Sequence, residues 1–247
     1  MAYAVMGALL LWAAAPGASP PAPFVVDQVV ARVDSEVITL SELTAEARLV
    51  LLDAGNPNVA VRTALSAPLL SAVLRSMVHR ALLANERRRL QLGGVPDEEV
   101  AQDVDRLARR FEARDDFRVF LIDIGLADPG ARDLPRFRAP AAIVDRLRME
   151  REVARFVDVR IRLNVVMSER EVRACFNANP QRFSKLSFEQ ARPQIRVRLQ
   201  EQKEAQALED LLGQLAQRAK IRVEAPYNQP LVEEAEPEVG FDCPRVP

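Results

Sequence analysis

The chain has 247 residues, of which 49% are hydrophobic, 28% are charged and only 5% are aromatic. This length and composition exclude a disordered chain and favour a helical protein whose core consists of Leu, Val and Ala. The formal net charge is -1, with 34 basic residues interleaved among 35 acidic ones, which argues against a nucleic-acid binder because such proteins need a basic field on one face.

The first segment, residues 1–22, is typical of a cleaved secretory signal. Residues 2–15 form an uncharged apolar run of 14 residues, which is shorter than the roughly 20 residues that a spanning helix requires. A Pro-rich stretch of small residues follows, but no Lys or Arg precedes the run. An uncleaved membrane anchor is the alternative. We expect an exported protein without a membrane span once the signal is removed.

The segment VVARVDSEVITLSEL, residues 29–43, predicts a β-hairpin followed directly by a helix. β-branched residues flank the turn-forming pair Asp34 and Ser35. Thr39 and Glu42 then fit a capping box, so a helix is predicted from there to a stop at residues 54–57. A hairpin alone buries too little apolar surface to be stable in water, and it therefore needs another strand or a helix.

Apolar residues at helical spacing predict six further helices between residues 66 and 219. The residues that mark their starts are Ser66, Asp97, Asp115, Pro140, Ser168 and Phe188 or Glu189. Acid–base pairs such as Arg146 with Glu150 and Glu169 with Arg173 indicate ion-paired helix surfaces. The segment from Val159 to Val166 is ambiguous between a helix end and a strand.

Near the other end of the chain, residues 220–223 (KIRV) form a short alternating segment. It predicts a strand that pairs with the N-terminal hairpin, so that both ends of the folded region close one small sheet. The entropic cost of closing the long loop between these strands is tolerable, because it grows only logarithmically with loop length. Beyond this strand, residues 224–247 hold five prolines, six acids and one Arg, and this tail is predicted to be disordered.

Residues 1–23 carry no charged side chain and the tail carries -5, so the remaining residues 24–223 carry +4. Such a mild positive charge suits loose attraction to acidic segments of a partner. It does not suit a phosphate-binding groove.

The two cysteines, Cys175 and Cys243, could pair in an oxidising compartment. Cys175 falls on the apolar face of a short helix, where a buried free thiol is common. Sequence alone cannot place the two Cα atoms within bonding reach. We expect no disulfide.

The sequence offers no arrangement expected of an enzyme. The only histidine, His79, lies opposite an apolar helical stripe and is expected to face solvent, without the partners of a catalytic triad. One His and two distant Cys do not form a transition-metal site of recognised spacing. None of the nine glycines belongs to a phosphate-binding loop motif. The sequence therefore predicts no catalytic residue, no metal site and no cofactor.

Three pieces of the chain together resemble the SurA family of exported chaperones over about residues 25–223. They are VVARVDSEVITLSEL, the helical LRSMVHRALLANE, and the closing segments REV, ARPQIRVRL and LGQLAQRAKIRV. The resemblance implies a mainly α-helical chaperone core with a small β-sheet formed by the N-terminal hairpin and a C-terminal strand. An N-terminal part (24–166) and C-terminal helices with a strand (168–223) would make one domain, which cradles unfolded outer-membrane proteins in the periplasm.

Many family members insert a parvulin prolyl-isomerase domain before the last helix. Here the insertion point falls near Phe183 to Phe188, where RFSKLSF leaves no room. The histidines of parvulin have no counterpart, because no His follows His79. The resemblance therefore predicts a chaperone that lacks isomerase activity.

The expected function is an ATP-independent periplasmic holdase for unfolded envelope or outer-membrane polypeptides. One alternative is a dedicated adaptor or assembly partner of one exported protein or of an isomerase-bearing relative, and another is an isomerase with chemistry unlike parvulin. The sequence leaves open whether the chain forms a dimer. If a client surface exists, it is placed on apolar side chains of the central helices, although for any single one of them a place in the core is the commoner outcome. These side chains are Phe111, Phe117, Phe120, Leu121, Val144 and Leu147.

Overall fold

The computed structural model describes residues 27–55, 57–130, 138–228, 241, 243 and 244. These residues form a mainly helical fold with one small antiparallel sheet, which confirms the predicted fold class. The strands are β1 (Val29–Val33), β2 (Glu36–Thr39) and β3 (Ile221–Val223). The helices are α1 (Leu40–Ala54), α2 (Pro57–Arg62), α3 (Ala67–Arg89), α4 (Asp97–Ala108), α5 (Arg114–Asp123), α6 (Ala141–Arg160), α7 (Glu169–Ala178) and α8 (Phe188–Arg218). The predicted signal, residues 1–22, lies outside the described residues.

The sheet has the order β2-β1-β3, so the N-terminal hairpin and the C-terminal strand pair through β1. Val33 lies opposite Ile221 in the antiparallel register. The turn residue Asp34, at φ 55°, strengthens this closure, since its backbone N donates to Lys220 O over 2.9 Å and its Oδ1 accepts from Lys220 N over 2.8 Å. The predicted meeting of the two chain ends is confirmed.

Reciprocal side-chain caps fix where three helices begin. The Thr39 hydroxyl accepts from the Glu42 backbone N, and the Glu42 carboxylate accepts from the Thr39 backbone N over 2.8 Å. The same arrangement starts α7, as predicted, and α8, where the cap residue is Ser187. Because each cap satisfies backbone donors that have no partner inside the helix, the start positions follow from residues three apart in sequence.

Several predicted boundaries differ from the observed ones. Pro57 was expected only to stop α1, but it also begins α2, since proline lacks the N–H that a first helical residue leaves unpaired. The N-caps of α4 and α5 are Pro96 and Ala113, so the aspartates predicted as caps lie inside the first turn. Carboxylates there still stabilise the helix through its dipole. The ambiguous segment after α6 forms a 3₁₀ turn, Arg162–Asn164.

Buried side chains form three clusters. The sheet cluster joins β1 and β2 to α1, α3, the end of α6 and the end of α8, and the aromatic cluster joins α1, α2, α5 and the start of α6. The C-terminal cluster lies between α7 and the first half of α8. Its buried members are Val172, Cys175, Phe183, Ala191, Ile195 and Leu199.

The long helix α8 connects the sheet cluster with the C-terminal cluster. Leu215, near its end, packs in the first, and Ile195, near its start, packs in the second. With 31 residues, the helix is about 45 Å long. Its two halves therefore serve different parts of the fold. Within the described residues, no helix has both the length and the apolar character needed to cross a membrane.

Candidate binding surfaces

The side chains predicted to form a client surface are mostly core. Phe117 and Leu121 are 1% and 0% exposed, and Phe120 and Phe111 are 3% and 9% exposed. The Phe111 ring lies 5.3 Å from that of Phe117 and 5.2 Å from that of Phe120, centroid to centroid. Val144 packs against the same aromatic cluster and is half-buried. These five side chains therefore fill a core. The prediction that they form a client surface is corrected.

Leu147, the last predicted site residue, lines a groove of about 330 Å³ between α1, α4 and α6. Leu49, Leu107 and Ala154 add apolar surface to this groove. Its charged walls are largely paired within the chain, since Arg151 donates to Asp103 over 2.5 and 2.6 Å. A partner entering the groove would compete with these existing ion pairs.

A more exposed apolar surface lies where α6 passes into the 3₁₀ turn. Val159 is 61% exposed, and Leu163 and Val166 are each 77% exposed. We call these three residues the junction strip. The sequence contained a signal for it, because this aliphatic segment did not fit one period, but the signal did not say that the side chains stay uncovered.

The backbone under the junction strip is anchored to α8. Lys203 Nζ donates to the Val166 carbonyl over 2.7 Å, and Arg162 reaches Glu204 over 3.4 Å. Ile161, which lies between Val159 and Leu163 in the chain, is 4% exposed and belongs to the interior. The exposed aliphatic side chains therefore extend from the end of α6 and from a segment held against α8. Because this backbone is already ordered, less conformational entropy is lost when a partner binds.

A buried ion triad, which sequence reasoning missed, joins α1, α3 and α6. Glu46 is 5% exposed and accepts from Arg80 over 2.6 Å and from Arg146 over 2.7 and 3.0 Å. Burial raises the pKa of Glu46, but hydrogen bonds and charge from Arg146 and Arg80 outweigh it and lower the pKa to about 2. The carboxylate thus stays ionised and ties three helices together.

The two predicted surface ion pairs have different outcomes. Arg146 does pair with Glu150, over 2.7 Å. Glu169 pairs with Arg192 of α8 over 2.5 Å, while the Arg173 guanidinium lies 4.3 Å from the centre of the Phe188 ring. Helical spacing therefore identified acidic and basic neighbours, but the packing of α7 on α8 decided the partners.

His79 is half-buried, so the expectation that it faces solvent is corrected. Burial lowers its pKa, and the nearby positive charge of Arg75 lowers it further. In the part of the chain that the structure describes, no group of three or more His, Cys, Asp or Glu side chains is placed to hold a metal ion.

Cys175 and Cys243 form a disulfide with a Cα–Cα distance of 4.6 Å, so the prediction of unpaired cysteines is wrong. The tail returns to the helices: the Phe241 ring packs 5.0 Å from that of Phe183, and Arg198 Nε donates to the Phe241 carbonyl over 3.0 Å. The prediction of a disordered tail is therefore corrected at Phe241 and Cys243, while residues 229–240, 242 and 245–247 lie outside the described residues.

Replacing Cys243 with Ser is expected to lower the free energy of unfolding by about 2–4 kcal/mol, because the bond closes a loop with a sequence separation of 68. Urea unfolding of the oxidised wild type and the variant, followed by circular dichroism, measures the difference. Wild type reduced with dithiothreitol should match the variant. Equal unfolding midpoints for oxidised and reduced wild type would contradict the expectation.

No protein-family model matches this chain, and no curated protein matches it. The resemblance to the SurA family therefore rests on the three sequence pieces alone.

Proposed function

We propose that the chain is an ATP-independent holdase of the periplasm, similar to the SurA core, that binds unfolded envelope or outer-membrane polypeptides without catalysing a reaction. The observation that carries the proposal is the junction strip, whose three aliphatic side chains are 61–77% exposed at the end of α6 and in the anchored segment that follows it. Three strongly exposed aliphatic residues within eight positions of the chain are a candidate for an interaction site. The pairing of β1 with β3 supports the resemblance, since it implies that the first and last segments meet in one domain.

The size of the junction strip favours weak and reversible binding. Fully burying one Val or Leu side chain contributes about 1.5–3 kcal/mol. Three such side chains barely offset the cost of association, estimated at roughly 4–15 kcal/mol. A client held by this strip alone would dissociate without an energy source, as an ATP-independent holdase requires.

Two further features support export to the periplasm and weak attraction of clients. The Cys175–Cys243 disulfide fits an oxidising compartment such as the periplasm, because cytosolic reductants keep thiols reduced. Residues 24–223 carry +4, which would attract acidic client segments without producing tight, sequence-specific binding.

The purified chain at micromolar concentration is expected to delay aggregation of several unrelated unfolded β-barrel proteins, measured by light scattering. The triple variant Val159→Ser, Leu163→Ser, Val166→Ser should require at least an about tenfold higher concentration for the same delay, which corresponds to at least about 1.4 kcal/mol of binding free energy. These side chains are already solvated, so the unfolding midpoint should change little.

A matched control is Val50→Ser, Val59→Ser and Leu92→Ser, which removes three aliphatic side chains exposed by 39–45% elsewhere on the fold. It should act like wild type. If the wild-type chain delays no aggregation and co-purifies with one folded partner, the adaptor function replaces the holdase. Acceleration of proline-peptide isomerisation would overturn the absence of catalysis.

A further inference from the structure

The C-terminal cluster is completed by a segment far away in sequence. Phe241 is half-buried in this cluster and meets Phe183 edge to face, with 5.0 Å between the ring centroids and 82° between the planes. Two residues later, Cys243 is bonded to Cys175, which is 0% exposed in α7. Phe241 therefore adds an aromatic ring to a core that is otherwise built from α7, α8 and the segments beside α7.

The polar contacts of this segment involve its main chain. Arg198 Nε donates to the Phe241 carbonyl over 3.0 Å, and the Cys243 backbone N donates to Gln202 Oε1 over 3.1 Å. Arg198 and Gln202 lie one turn apart on α8, so they face the same side. Because backbone groups carry no sequence information, the two side chains could hold any extended segment in the same way.

The surface that holds Phe241 and Cys243 continues along α8 as a groove. A cavity of about 680 Å³ runs along α8 and is lined by Leu199, Lys203 and Gln206, with Cys243 at its wall. The described part of the chain thus provides an aromatic pocket at Phe183, two main-chain contacts, and a mixed apolar and polar channel beyond them. These three features together could bind an extended peptide that inserts one aromatic side chain.

We propose that the groove along α7 and α8 is a peptide-binding site for extended segments that carry a phenylalanine, and that Phe241, Cys243 and Pro244 occupy it as a tethered competitor. The disulfide keeps the effective concentration of the tail segment high, so the site stays closed to other peptides while the bond is intact. The inference deepens the proposed function, on which it rests for the source of such segments, because unfolded polypeptides expose phenylalanine that folded ones bury.

The probe is a fluorescein-labelled hexapeptide, VGFDSP, which copies residues 239–244 with serine in place of the cysteine. Fluorescence anisotropy compares its binding to the oxidised wild-type chain and to the double variant Phe241→Ala, Cys243→Ser. The variant lacks the Phe241 ring that fills the aromatic pocket and the disulfide that holds the tail there. It should therefore bind the peptide at least about tenfold more tightly than wild type. The peptide VGADSP, which lacks the ring, should bind the same variant about tenfold more weakly.

Adding Arg198→Ala and Gln202→Ala to the double variant should weaken binding of VGFDSP, since both main-chain contacts are lost. If the double variant does not fold, the full wild-type chain reduced with dithiothreitol replaces it, and peptide binding should rise on reduction and fall on reoxidation. Equal binding by the oxidised and opened chains, or equal binding of the two peptides, overturns the proposal.

The two proposals fail separately. Aggregation is measured with the oxidised wild type and depends on the junction strip, whereas peptide binding is measured with the opened chain and depends on the groove. A chain that delays aggregation but never binds VGFDSP would refute the groove alone. A chain that binds VGFDSP when opened but delays no aggregation would refute the holdase alone.

Discussion

Replacing Glu46 with Ala is expected to lower the free energy of unfolding by about 3–5 kcal/mol, the cost of breaking a buried ion pair from one side. Arg80 and Arg146 are only 18% and 17% exposed in their side chains. Without the carboxylate, two positive charges would face each other with little water to screen them. Urea unfolding of the wild type and the variant measures the loss.

The matched control is Glu150→Ala, which removes the other carboxylate that contacts Arg146. Glu150 is 53% exposed in its side chain, and exposed pairs contribute about 0–1 kcal/mol. A similar loss in both variants would show that burial does not set the strength of this triad.

The same triad predicts a pH dependence of stability. The pKa of Glu46 falls from 4.5 to about 2 on folding, so its contribution is fully present above pH 4.5 and is lost as the pH falls towards 2. Glu46→Gln should therefore show a weaker decline of the free energy of unfolding between about pH 5 and pH 2. Parallel pH profiles for both proteins, measured by urea unfolding, would contradict the assignment.

Replacing Phe117 with Ala is expected to lower the free energy of unfolding by about 3–5 kcal/mol, because a fully buried ring leaves a cavity that its neighbours refill only in part. Phe117 is 1% exposed and packs on Phe111 at 5.3 Å. Guanidinium unfolding measures the effect. Leu163→Ala, at a residue 77% exposed, should change stability by less than about 0.5 kcal/mol.

The pair of variants also separates a core role from a client-binding role. In our reading, Phe117→Ala acts on stability, and below its unfolding transition it should still delay aggregation. Leu163→Ala should instead weaken the delay without affecting stability. If Phe117→Ala weakened the delay and Leu163→Ala did not, the client surface would lie on the aromatic residues.

Features that depend on neighbours a few residues apart could be predicted from the sequence. The hairpin, the capping box of α1 and that of α7 each follow from residue types at fixed short spacing, which fix local backbone hydrogen bonds. The distant pairing of β1 with β3 was also predictable, because an isolated hairpin needs a further strand and residues 220–223 supplied one with the correct alternation.

The burial of particular faces was decided only by the tertiary structure. Periodicity placed Phe117 and Phe120 on an apolar helix face, but the same pattern describes a covered face and an uncovered one. Contacts with α1, α2 and α6 cover this face. Val159, Leu163 and Val166, at the end of α6 and just after it, stay 61–77% exposed instead.

Partners that are distant in sequence were likewise beyond sequence reasoning. Glu46 has ordinary helical neighbours, and its two arginines lie 34 and 100 residues away. Cys243 meets Cys175 because Phe241 and Cys243 pack against α7 and α8, from which they are distant in sequence. The sequence by itself determined the local elements and the mainly helical class, since these depend on short-range hydrogen bonds and side-chain period. The tertiary structure decided which charges are buried, which apolar residues stay exposed and which cysteines bond, because these depend on how the helices pack.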